Sequence, residues 1–77
     1  MTTDRIEIYR DLAGEFRWRR RASNGQVVSG PGEGYTRKRN AIKSAVRRNR
    51  DVPAERWLDL TKTPAVRVRS VLLDGLP

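Results

Sequence analysis

The sequence predicts an α+β domain: an antiparallel meander of three to four strands, packed by one basic helix and open to sheet extension in a dimer. Three observations predict it. Residues 6–10 and 16–22 alternate apolar and polar side chains with period two, as half-buried strands do. Asn24-Gly25 then separates the second run from Val27-Val28, the strongest short hairpin signal. Residues 37–50 hold Ala41, Ile42, Ala45 and Val46 at helical spacing among seven cations and no acid.

Ile6-Glu7-Ile8-Tyr9-Arg10 is the first predicted strand, closed by Asp11-Leu12-Ala13-Gly14. In the second, Phe16, Trp18 and Ala22 share one face while Arg17, Arg19 and Arg21 share the other. Arg20 falls on the inward face, where it must either snorkel past the sheet edge or meet an acid of a second chain. Asn24-Gly25 suits a type I′ turn, so residues 5–30 read as a three-stranded antiparallel meander. Residues 30–34 lack both the Gly-Lys-Ser/Thr ending of a P-loop and the G-x-G-x-x-G pattern, so they read as a connector.

Thr36 is the expected N-cap of the helix. Ala41, Ile42, Ala45, Val46 and Asn49 form its core stripe, and it ends before Pro53. Residues 53–58 predict a short helical turn that plants Trp57 on the core, although a dimer anchor or an exposed stacking role is also open to it. After the connector at 61–64, the alternation over 65–73 predicts a fourth strand, ended by Asp74-Gly75.

Seventy-seven residues make a single domain, and such a chain hides only about 60% of its unfolded surface. Hydrophobic residues are 36% of it, and with no Cys or His neither a disulfide nor a structural zinc site can reinforce the small core. Oligomerisation remains as reinforcement, so a homodimer is expected. The same absences remove thiolate chemistry and His-based nucleophile activation, and the carboxylates are scattered, so no enzyme, no cofactor and no metal are expected. No stretch approaches a membrane span and no apolar leader follows Met1, which together with the lack of Cys points to the cytoplasm.

Residues Ile6–Asp11, Gly14–Arg19, Ala22–Gly25 and Gly32-Glu33-Gly34-Tyr35, in that order, resemble the YegP-like small domain family (DUF1508, UPF0339) over about residues 4–50. The resemblance implies a β-β-β-α repeat whose sheet joins that of a second repeat or a second chain. It carries over no catalytic or ligand residue. This chain has one such repeat, followed by an extension over 51–77 without a counterpart in the family pattern.

Net charge +8 attracts polyanions, namely nucleic acid, anionic headgroups or an acidic protein face. Two basic surfaces are expected to carry that attraction. Arg17, Arg19 and Arg21 recur every two residues, about 6.6–6.8 Å apart along a strand, where they can follow a phosphate backbone or simply line a wet face partly neutralised by Glu7. Tyr9 shares their face, either to stack on a base or to pack beneath the arginine stems. Arg37, Lys38, Arg39, Lys43, Arg47 and Arg48 form the second surface. The first three oppose the helix dipole, which asks for a compensating anion from a ligand or from Glu33.

The reading is therefore a non-enzymatic module that contacts nucleic-acid phosphates with low sequence specificity. Its rival is a protein-interaction module, host-modulating or structural, whose basic face binds an acidic protein. Membrane-surface binding is disfavoured, because the helix stripe offers little apolar depth.

Overall fold

Two three-residue loops of the same design shape the first thirty residues. In each, a residue before the loop takes the amide of the glycine that closes it: Gly14 N–H donates to Asp11 O at 3.0 Å, and Gly25 N–H donates to Ala22 O at 2.9 Å. Gly14 and Gly25 have φ of +86° and +88°, and no non-glycine residue has positive φ among the described residues, 2–30 and 33–73, of the computed structural model. Asn24 therefore does not take the left-handed conformation that a type I′ turn requires. The Ser23-Asn24-Gly25 loop is instead the three-residue kind in which glycine alone is left-handed.

These loops join β1 (Arg5–Arg10), β2 (Phe16–Arg21) and β3 (Val27–Ser29), each antiparallel to the next. The helix α1 (Lys38–Arg48) crosses one face of this sheet, and β4 (Trp57–Asp59) and β5 (Val66–Arg67) complete it in the order β3-β2-β1-β4-β5. Because β4 runs parallel to β1, the sheet is mixed and five-stranded rather than a purely antiparallel meander. The chain can make that parallel pair because α1 carries it back across the sheet, the crossover that parallel neighbours need.

The last third differs most from expectation. Ala54–Arg56 is the expected helical turn, in 3-10 form, but Trp57 itself begins a strand and is fully buried, with Nε1–H donating to Val52 O at 3.0 Å. The strand expected over 65–73 is only Val66–Arg67, followed by a 3-10 turn at Ser70–Leu73. Its partner β4 is three residues long, and Asp59 ends it by accepting the Thr61 amide at 2.9 Å. With no further ladder to join, the chain turns Leu73 beneath α1. The expected stop at Asp74-Gly75 lies outside the described residues, as do Met1, Pro31, Gly32 and the last two residues.

Ile6, Ile8, Trp18, Trp57, Val68 and Leu73 meet Ile42, Ala45 and Val46 of α1 in one core, and the helix stripe, including Asn49, is buried as expected. Thr36 does not cap α1: Arg37 occupies the N-cap with no side-chain hydrogen bond. Arg20 neither leaves the edge nor awaits a second chain. Its Nε donates to Asp4 at 2.7 Å and its two Nη atoms donate to Asp51 at 3.0 and 2.8 Å, tying β2 to the loop after the helix. Gly30 has φ +118°, and a Cβ there would lie 2.8 Å from Trp18 O, so the exit from β3 requires glycine.

Trp57→Ala is expected to cost about 3–5 kcal/mol, read as a lower urea midpoint by circular dichroism. A variant that unfolds with the wild-type midpoint would show that the core does not rest on β4.

Candidate nucleic-acid interface

Strand alternation places Ile6 and Ile8 under the helix and Glu7 on the opposite, open face of the sheet. There the register sets Glu7 across from Arg19, with Arg5 across from Arg21 and Tyr9 across from Arg17. Glu7 is only 5% exposed. Its Oε1 accepts Nε–H of Arg19 at 2.6 Å and of Arg21 at 2.8 Å, and its Oε2 accepts Nε–H of Arg5 at 3.0 Å. Burial alone pushes this carboxyl up, but the hydrogen bonds from Arg19, Arg5 and Arg21 override it and hold the pKa at about 2, below its ordinary 4.5.

Each of the three arginines uses Nε inward. Arg21 also uses one Nη, on Gly25 O at 2.6 Å, while the Nη atoms of Arg5 and Arg19 have no hydrogen-bond partner among the described residues. The Arg19 guanidinium lies 4.4 Å from the centre of the Tyr9 ring, so Tyr9 packs beneath an arginine rather than presenting a bare stacking face. Arg17 is held by Asp11 at 2.6 Å, which lowers the Asp11 pKa. Leu58 sits beside Glu7 and opposite Arg67, which brings Arg67 to the same face.

The helix presents its cations on the other side of the molecule. Arg37, Arg39, Lys43, Arg47 and Arg48 are exposed, and among the described residues none lies within 4.0 Å of a carboxylate. Lys38 is the exception. Its Nζ donates to Asp59 Oδ2 at 2.8 Å and to Thr61 Oγ1 at 3.4 Å, pinning the start of α1 to the end of β4. Burial raises the Asp59 pKa, but Lys38 and Thr61 outweigh it and the net shift is downward. Of the three first-turn cations, Asp59 thus offsets Lys38 alone, while Glu33 accepts from the Tyr35 hydroxyl at 3.3 Å.

The site residues named from sequence therefore divide. Arg17, Arg19 and Arg21 share the open face, each on a carboxylate; Arg37, Arg39, Lys43, Arg47 and Arg48 share the helix surface; Lys38 is tied down between layers. Sequence reading missed Arg5, although its period-two parity with Glu7 and Tyr9 gives it away. It also missed Arg67, whose face depends on a β4–β5 register that no local pattern encodes. Arg48 faces a cavity of about 670 Å³ between the β2–β3 edge and α1, together with Trp18, Tyr35 and Glu33.

A carboxylate with a depressed folded-state pKa stabilises the fold above its unfolded value and loses that contribution as pH falls through the folded value. Wild-type stability is thus expected to fall from 4.5 toward about 2 as Glu7 protonates. Glu7→Gln is expected to cost about 1.5–3 kcal/mol at neutral pH, and to flatten this part of the pH profile in urea titrations. A variant with the wild-type profile would remove Glu7 from the account.

The family model described as "Domain of unknown function (DUF1508)" matches residues 11–49. A UPF0339 protein of Neisseria meningitidis serogroup B is 53% identical over 35 residues, covering 46% of this chain and 61% of that protein. The chain thus spans under two thirds of the neisserial relative. One UPF0339 protein of Agrobacterium fabrum is 39% identical over 61 residues, covering 79% of this chain and 97% of that protein. A second protein of the same organism and name is 35% identical over 57 residues, covering 74% and 90%. No solved structure matches. Matched by that family model over half its length and by these relatives, the chain belongs to the DUF1508 (UPF0339) family.

Proposed function

We propose that this protein is a non-enzymatic binding module that contacts the phosphate backbone of nucleic acid with low sequence specificity, first through the solvent face of α1. One observation carries the reading. The carboxylates of Asp4, Glu7, Asp11, Asp51 and Asp59 are occupied by arginines of the sheet and by Lys38 at the start of α1, whereas Arg37, Arg39, Lys43, Arg47 and Arg48 have none among the described residues. Five cations without a carboxylate partner therefore lie along α1 and its N-cap. Arg39, Lys43 and Arg47 stand four residues apart, about 6 Å along the axis, and form a continuous row that can track a charged backbone. The row consists of Arg and Lys alone, which supports charge-driven phosphate contact.

Pairing between two chains fits the same reading. β3 is an edge strand whose Val27 and Val28 are 49% and 54% exposed, so a second sheet can extend it there. No helix among the described residues is long and apolar enough to cross a membrane.

A second reading has its own support. Between α1 and the Ser70–Leu73 turn runs a groove of about 520 Å³ with an apolar floor of Ile42, Val46 and Leu72, beneath Arg39, Lys43 and Arg47. Such a groove suits an acidic amphipathic segment of a partner protein.

Fluorescence anisotropy of labelled duplex DNA, single-stranded DNA and RNA at about 50 and 200 mM salt separates the two. Six phosphate contacts lower affinity about a thousandfold between those salts, and Arg39→Gln/Lys43→Gln/Arg47→Gln is expected to flatten the slope by about 0.9 per lost contact. No binding to any of the three at the lower salt overturns the nucleic-acid reading and leaves the acidic partner.

A further inference from the structure

The two basic surfaces cannot touch the same straight stretch of nucleic acid. α1 packs on the Ile6/Ile8 face of the sheet, so its outer row of Arg39, Lys43 and Arg47 and the open-face arginines point in opposite directions. The molecule measures 34 × 28 × 25 Å, and its smallest extent exceeds a Debye length of about 10 Å at 0.1 M salt. Charge bound on one face is therefore largely screened from the other.

The open face is also organised for an anion, not merely basic. Arg5, Arg17, Arg19, Arg21 and Arg67 stand against three acids, Glu7, Asp11 and Glu15, which leaves that face with excess positive charge after its ion pairs are made. Glu7 takes Nε from three arginines and so fixes their planes. The ring of Tyr9 supports Arg19 from below. The Nη atoms of Arg5 and Arg19 remain available to a phosphate oxygen, and guanidiniums already held in place lose little rotamer freedom on binding.

We infer that the open sheet face is a second phosphate-binding surface, so that one domain holds two nucleic-acid duplexes on opposite faces and bridges them. This inference rests on the phosphate-binding reading of α1 above and adds the bridging to it. Neither face needs the other to be filled, and the free Nη atoms of the sheet face act alongside the unpaired row of the helix.

The test is capture of a fluorescent duplex DNA by a second duplex tethered to beads, at about 50 mM salt, in the presence of the full chain. Arg5→Gln/Arg67→Gln thins the open face while leaving Glu7 with Arg19 and Arg21, and Arg19→Gln/Arg21→Gln thins it further. Circular dichroism confirms that each variant is folded. Wild type is expected to capture duplex. Both variants are expected to bind a single dilute duplex within about threefold of wild type, and to lose capture by about tenfold or more, since capture needs both faces at once.

Wild type that binds duplex without capturing a second one overturns the bridge and leaves the helix reading standing. Capture undiminished in both folded variants also overturns it, because the bridge would then be made by two helix faces of an oligomer. Wild type that binds no duplex at all overturns the bridge, and the helix reading falls with it only where single-stranded DNA and RNA are also unbound.

Discussion

Strand β1 is the pivot of the structure, because Glu7 resolves a conflict that its neighbours create. Ile6 and Ile8 must turn inward to meet α1, and strand alternation then fixes Glu7 on the opposite face beside Arg19, with Arg5 and Arg21 one step along. Without the carboxylate those guanidiniums would crowd one another across adjacent strands, where like charges destabilise a sheet. With it, three cations share one buried anion, and a face rich in arginine coexists with the longest strand pair of the fold. The same alternation that builds the core therefore also builds the charged face.

The remaining acids act at joints rather than in clusters. Asp51 and Asp4 hold Arg20 where the sheet meets the loop after the helix, and Asp59 holds Lys38 where the helix meets β4. Arg20 with Asp51 and Lys38 with Asp59 each join elements far apart in sequence. A small domain without disulfide or metal thus reinforces its layers with partly buried ion pairs around a modest core. The consequence is a separation of charge: anions are held within the sheet and its joints, while the outer face of α1 keeps its cations unbalanced.

The first fifty residues were legible because their cues are local. Period-two alternation located β1 and β2, the glycine-bearing loop located the hairpin, and the stripe from Ala41 to Asn49 gave the buried side of α1. What escaped was set by tertiary pairing. The core was one of three places open to Trp57, and no local pattern marks Trp57-Leu58-Asp59 as a strand, because only its parallel pairing with β1 makes it one. Over 65–73 the alternation was real, yet a strand extends only as far as its partner, and β4 stops at Asp59. For the site, the arginine parity on β2 was visible in the sequence, whereas the partner of Lys38 and the side occupied by Arg67 depended on where β4 and β5 fall.

The central claim is that the unbalanced helix face, not the sheet as a whole, meets nucleic acid first. Backbone amide chemical shifts of isotope-labelled protein, followed by NMR while a short DNA duplex is added at low salt, test it residue by residue. The account predicts that the amides around Arg39, Lys43, Arg47 and Arg48 move at the lowest duplex ratios. Early shifts confined to other elements, with α1 unmoved, would contradict it.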